Sequence, residues 1–161
     1  TGVVNAVYNQ ANMVLVVLDN STTAMTGHQP HPGTGRTVMR EIVQKINIEQ
    51  VLRGIGVTEI ETINPLELEA SVSCVKRMAE KSGVRAIIFK APCIAVTKPK
   101  APLHVDQDSC IGCKKCIRDL GCPAIVMNDG KICIDASMCT GCHLCSQVCP
   151  VCAIAGGDDH E

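Results

Sequence analysis

Eight of the twelve cysteines form one pattern written twice: Cys110, Cys113, Cys116, Cys122-Pro123, then Cys139, Cys142, Cys145, Cys149-Pro150. Three thiolates at two-residue intervals suit one face of an iron–sulfur cubane, and a distant cysteine before proline supplies the fourth ligand of the other cluster. The first three positions recur at an offset of 29, whereas Cys122 and Cys149 are 27 apart. Two extra residues therefore lie in the first half, in a lengthened turn over Arg118 to Gly121. Cross-ligation assigns Cys110, Cys113, Cys116 and Cys149 to one [4Fe–4S] cluster, and Cys139, Cys142, Cys145 and Cys122 to the second. The pattern implies electron transfer.

Other uses of the cysteines fit less well. A structural zinc site wants four ligands from two Cys-x2-Cys pairs, not eight in triplets each followed by Cys-Pro. Cysteines two residues apart in a tight loop suit a metal better than each other. No secretory signal places the chain in an oxidising compartment, so a cytoplasmic protein is expected. Of the other four cysteines, Cys133 and Cys152 are expected in the core, the latter packed over a cluster. Cys74 fits a helix, and Cys93 a loop after a strand.

Charge divides the chain. Residues 1–102 hold eleven Lys and Arg against eight Asp and Glu (+3), and residues 103–161 hold four against eight (−4). No basic stripe interleaved with aromatics suggests nucleic acid. No apolar run reaches the roughly 18 residues that would span a membrane. With one Phe, one Tyr and no Trp, the core must be aliphatic. Val96-Thr97-Lys98-Pro99-Lys100-Ala101-Pro102 lacks apolar periodicity and marks a linker at 97–102. The expected domains are thus 1–96 and 103–157, with a tail at 158–161.

In the first hundred residues strand and helix signals alternate. Asn12 to Asp19 is a continuous apolar run, expected to be a strand buried on both faces of a parallel sheet. Val38, Ile42, Val43 and Ile46 predict a helix over Arg36 to Ile48. A further turn or two follows at Glu49 to Leu52, stopped by Gly54 and Gly56. Val57 to Ile63 reads as a strand, Leu66 to Ser82 as a helix ended by Gly83, and Val84 to Phe89 as a buried strand. The class is α/β with a parallel sheet.

Ligands in such sheets bind beyond the carboxyl ends of the strands. The long polar loop from Leu18 to Gly35, rich in Gly, Pro, Asn and Thr, either serves a site or is disordered. Its Asn and backbone carbonyls suit a hard cation, and its Thr hydroxyls and glycine amides suit a diphosphate. Asp19 reads more simply as a strand-end carboxylate holding loop amides.

The string Leu18-Asp19-Asn20 through Ala24-Met25-Thr26-Gly27-His28-Gln29-Pro30-His31-Pro32-Gly33 resembles the thiamine-diphosphate-binding segment of the 2-oxoacid:ferredoxin oxidoreductases, and is most similar to the large (alpha) subunits of their indolepyruvate-type branch. The order matches too, a thiamine domain before a double-cluster ferredoxin-like domain of α+β class. The resemblance implies that Asn20 ligates Mg²⁺ through its side-chain oxygen and Thr22 through its carbonyl. Thr26, Gly27 and Gln29 match the stretch against thiamine diphosphate. His28 and His31 either steer the substrate or a proton, or hydrogen-bond the loop. It further implies oxidative decarboxylation of aryl 2-oxoacids, chiefly indole-3-pyruvate, to the aryl-acetyl-CoA. Coenzyme A, a small (beta) subunit and an external ferredoxin are the implied partners. The family's Gly-Asp segment, with a further Mg²⁺ ligand, and its activating glutamate are missing. The expectation is therefore a C-terminal fragment with a truncated thiamine domain, binding the cofactor poorly alone. A non-catalytic electron carrier and a pyruvate-type enzyme remain as alternatives.

Overall fold

The computed structural model describes residues 1–156; residue 157 and the expected tail at 158–161 lie outside the described residues. The chain divides into two compact units, Thr1–Thr97 and Lys98–Glu161.

In the first unit three parallel strands, β1 (Met13–Asp19), β2 (Glu59–Ile63) and β3 (Val84–Lys90), pair in the order β1-β3-β2. The central strand is the most buried, and its alternation divides two cores. Ala86 and Ile88 meet Leu52 and Val57 on one face, while Ile87 meets Cys74 and Met78 on the other. The first core is roofed by α1 (Gly2–Tyr8), through Val3 and Val7, and by α2 (Ile48–Ile55). The second is roofed by α3 (Leu68–Glu80), whose Cys74 and Met78 lie four residues apart on one stripe. Helices on both faces of a parallel sheet make this unit α/β. Asn47 starts α2 by accepting the Gln50 N–H at 3.1 Å, and Gly56 stops it at φ 106°.

One core residue is charged. Arg85 is buried in β3, where its Nε donates to the Met78 carbonyl at 2.9 Å and its Nη1 to the Gly83 carbonyl at 2.6 Å and to Asn12 Oδ1. The guanidinium thereby ties the last turn of α3 to the entry of β1, and a cation there complements the helix dipole.

Two expectations for this unit fail. The strand Asn12 to Asp19 is not buried on both faces: Val16 is 50% and Leu18 76% exposed. Its place is the sheet edge: α3 packs chiefly over β2 and β3, and from β1 only Val14 joins the core beneath it. The helix expected over Arg36 to Ile48 does not form, and Ile48 instead opens α2. Val43 N–H turns back to the Gly35 carbonyl and Ile46 N–H to Pro32, Arg36 bridges Ile42, and Arg40 is left-handed at φ 66°. Val38, Ile42, Val43 and Ile46 all remain exposed, so the amphipathic face has nothing to pack on and the segment closes on itself.

The second unit repeats itself. Strand β4 (Leu103–Val105) pairs antiparallel with β7 (Ile154–Gly156), and β5 (Ile125–Asn128) with β6 (Lys131–Ile134). Asp129-Gly130 joins the latter two with both φ positive, the two-residue turn whose twist suits a hairpin. The helices α4 (Lys115–Leu120) and α5 (Leu144–Val148) each carry the third cysteine of a triplet, Cys116 and Cys145, in their first turn. The core consists mainly of residues one repeat apart: Leu103 and Ile132, Cys116 and Cys145, Ala124 and Ala153, Ile125 and Ile154. Arg118 to Leu120 is the end of α4, with left-handed Gly121 closing it, rather than a lengthened turn. Cys152 is exposed at φ 52°, not packed in a core, because it belongs to a bulge that follows Pro150.

Candidate functional site

The polar loop leaves the carboxyl end of β1 and is pinned at once. The Asp19 carbonyl accepts the Ala91 N–H at 3.2 Å, and the Asn20 carbonyl the Cys93 N–H at 3.0 Å. Two successive side-chain turns follow: Asp19 Oδ1 accepts from Ser21 N–H and Asn20 Oδ1 from Thr22 N–H, each at 3.1 Å. Asn20 and buried Thr22 are thus brought together, each side of one turn, and Asp19 acts as the strand-end carboxylate it was expected to be.

Beyond them the loop closes as a short hairpin. Thr23 bridges Gln29, the Thr26 hydroxyl donates to Gln29 Oε1 at 2.6 Å, and the Gln29 amide returns to the Thr26 carbonyl. Gly27 at φ 101° makes this reversal, a conformation that costs a side chain dearly. His28 is exposed in the left-handed region, whereas His31 Nδ1 accepts the Gly33 N–H at 3.1 Å. The sequence left both roles open; the structure gives His31 the loop-holding bond.

Two hollows flank the end of β1. One of about 250 Å³ is lined by Leu18, Asn20, Pro65, Ser71 and Phe89. The other, of about 420 Å³ and more polar, is lined among others by Asp19, Ser21, Gly33, Lys45, Asn47 and Lys90. Thr26, Gly27, His28 and Gln29 line neither. Lys45 and Lys90 escaped the sequence reading, although Lys90 ends β3 and so had to fall at the carboxyl edge; its Nζ lies 3.9 Å from Asp19 Oδ2.

In the second unit the cysteines gather in two quartets. Cys110, Cys113, Cys116 and Cys149 line one cavity, together with Ile132 and Pro150. Burial pushes the Cys116 thiol up, and charge on Cys113 and Cys149 adds to this. Around Cys145, burial pushes the thiol up to about 11, with charge on Cys142, Cys139 and Cys122 adding to it. Each buried thiol is therefore held protonated until a metal replaces the proton and compensates the neighbouring negative charge. Ala153 N–H points at Cys149 Sγ, 3.3 Å away. All twelve cysteines are free thiols. Among the described residues no group of three or more His, Cys, Asp or Glu is drawn together closely enough to hold a single metal ion.

The loops that carry the triplets share one backbone. Gly112 and Gly141 have φ 65° and 66°, Lys114 and His143 have 62° and 61°, and the Cys110 and Cys139 N–H groups each donate to the Asp four residues earlier at 3.0 Å. Such left-handed steps turn the chain so that successive cysteines face inward, and the donor set fits two cubanes. Among the described residues no helix is long and apolar enough to cross a membrane.

The family model described as thiamine pyrophosphate enzyme, C-terminal TPP binding domain, matches residues 1–89, and the 4Fe-4S dicluster domain matches residues 103–150. Proteins named indolepyruvate oxidoreductase subunit IorA are similar over nearly the whole chain. That of Methanothermobacter thermautotrophicus is 44% identical over 94% of this chain and 25% of its own length. That of Archaeoglobus fulgidus is 39% identical, with the same coverage, and that of Thermococcus kodakarensis 40% identical over 91% of this chain and 24% of its own. The chain spans about a quarter of the length of these curated relatives. No solved structure matches it. With a parallel sheet bearing the polar loop at its carboxyl edge, and a repeated unit bearing two cysteine quartets, the chain belongs to the thiamine pyrophosphate enzyme family and joins that family's C-terminal cofactor-binding domain to a domain for two [4Fe–4S] clusters.

Proposed function

We propose that this chain is the part of a 2-oxoacid:ferredoxin oxidoreductase that grips thiamine diphosphate and carries electrons away from it, and that the preferred substrates are aryl 2-oxoacids such as indole-3-pyruvate, converted with coenzyme A to the aryl-acetyl-CoA. The carrying observation is the pairing in one chain of a thiamine-type loop and a dicluster domain, in a sequence 36–44% identical to proteins named indolepyruvate oxidoreductase subunits. When bound, thiamine diphosphate supplies the carbanion chemistry of decarboxylation and the clusters supply one-electron capacity.

The chain's own residues orient and hold. Asn20 keeps a second lone pair on its amide oxygen for Mg²⁺ beyond the bond from Thr22, and the Thr22 carbonyl is the companion ligand. The Thr26–Gln29 hairpin presents Thr26, Gly27 and Gln29 to the cofactor. His28, exposed on that hairpin, is the histidine available to a substrate carboxylate, while His31 keeps the loop's shape. Cys110, Cys113, Cys116 and Cys149 hold one cluster, and Cys139, Cys142, Cys145 and Cys122 the other. A small (beta) subunit and an external ferredoxin complete the assembly, and the free thiols suit a reducing, cytoplasmic setting.

The test is anaerobic turnover of the whole subunit with its partner, supplied with indole-3-pyruvate or pyruvate, coenzyme A and an artificial electron acceptor. Indole-3-acetyl-CoA should form faster than acetyl-CoA, and only with thiamine diphosphate and Mg²⁺. Preference for pyruvate, or no acyl-CoA at all, would contradict the reading.

A further inference from the structure

Two loops of one backbone meet different surroundings. A Cβ on Gly112 would touch nothing within 4 Å, but on Gly141 it would lie 2.7 Å from both the Ala101 carbonyl oxygen and Lys100 Cβ. Lys100 N–H also donates to the Thr140 carbonyl at 3.3 Å. The second loop is thus covered by its own unit. In the first, Ile111 through Lys115 are all exposed, Ile111 at 65%. Of the eight cysteines placed in the quartets, Cys113 alone is exposed.

The uncovered loop is also where the positive charge sits. Lys114, Lys115 and Arg118 occupy the positions that carry His143, Leu144 and Gln147 one repeat later. They are three of the four basic residues in a segment with eight acidic ones. Arg118 is fixed to the loop by its Nη2, which donates to the Cys113 carbonyl at 3.1 Å. Neither lysine has an ion-pair partner among the described residues. Asp119 is exposed beside Arg118 and offsets part of the charge, leaving the stretch net positive next to exposed, apolar Ile111.

We propose that Ile111 to Lys115, with Arg118, is the docking surface for an acidic one-electron carrier protein. The inference rests on the reading that Cys110, Cys113, Cys116 and Cys149 hold a cluster. An exposed apolar residue followed by three cations, on an otherwise acidic unit, selects an acidic partner by charge and steers it to exposed Cys113. Transfer there makes and breaks no bond: one electron leaves this protein and the carrier is reduced by one. The carrier's approach to the covered second loop is blocked by Lys100 and Ala101.

The experiment uses the anaerobically reconstituted protein, with iron counted first, and an acidic two-[4Fe–4S] ferredoxin as probe in biolayer interferometry. Removing these three charges with Lys114→Gln, Lys115→Gln and Arg118→Gln should raise Kd about ten-fold at low salt and flatten its salt dependence. Lys131→Gln, an exposed cation on the β5–β6 hairpin, should leave Kd unchanged. Iron content should be the same in all variants. Equal affinity of the triple variant and the parent at equal iron content would overturn the proposal, as would a larger loss from Lys131→Gln. Self-association abolished by the triple substitution, with no carrier bound, would assign the surface to a second copy and overturn it too. A protein without iron would instead strike the reading on which the proposal rests.

Discussion

Ala124 and Ala153 lie 29 residues apart and are both buried, at 2% and 1% exposure, although the cysteines that precede them, Cys122 and Cys149, are 27 apart. The first half spends two additional residues before its Cys-Pro, at the end of α4, and the second half spends two after its own, at Val151 and Cys152. The repeat is back in register by the time each alanine enters the core. Their carbonyls confirm the equivalence, since Asp135 N–H donates to Ala124 and Asp106 N–H to Ala153, both at 2.8 Å. Either Ala→Leu should overpack this core and cost about 1–3 kcal/mol, read as a lower midpoint in denaturant, with similar losses at the two sites.

The same bookkeeping separates ligand from bystander. Cys152 is exposed on the compensating bulge, so Cys152→Ser should keep the full iron complement. Cys122→Ser should lose one cluster, because Cys122 stands with Cys139, Cys142 and Cys145. Iron analysis of the two variants side by side checks this; equal iron would remove Cys122 from its quartet.

Gly112→Ala and Gly141→Ala share a left-handed backbone and hence a strain of roughly 1 kcal/mol. Gly141→Ala must also displace the Ala101 carbonyl, a backbone atom that cannot rotate away. Its thermal midpoint should fall several degrees further than that of Gly112→Ala, and calorimetry on the reconstituted proteins measures the difference.

Arg85→Met keeps most of the side-chain volume but leaves the Met78 and Gly83 carbonyls and Asn12 without their donor. A loss of about 2–5 kcal/mol is expected, as for other broken buried networks. Urea unfolding would show it, and a neutral outcome would mean that water replaces the guanidinium.

Arg77 donates to Glu61 at 2.6 Å and holds that carboxyl below the usual range. A depressed carboxyl pKa gives stability that is present above the unfolded value and lost as pH falls through the folded one. Arg77→Gln should therefore cost a little stability at neutral pH and nothing once Glu61 is protonated. The two proteins' unfolding midpoints should converge on the acid side of about pH 4.

Much of this architecture was readable in advance where a short-range rule governs. The triplet spacing depends only on local loop geometry, and the strand–helix alternation of residues 57–90 is carried by runs that bury on their own. What escaped depended on the neighbours. Val38, Ile42, Val43 and Ile46 have helical spacing, but spacing makes a helix only when something covers the apolar face. The run at β1 is as apolar as a central strand, yet its place at the sheet edge leaves Val16 and Leu18 exposed. Helix α1 was missed although Val3 and Val7 carry the four-residue spacing that docks it. At the thiamine-type loop the resemblance singled out Asn20 and Thr22, whereas Lys45 and Lys90 line one hollow only through the fold.

The most direct test of the account is an anaerobic count of iron and acid-labile sulfide, with EPR of the dithionite-reduced protein. About eight irons per chain and a pair of magnetically interacting signals are expected for two neighbouring cubanes. A colourless protein that retains zinc at the same cysteines would contradict it.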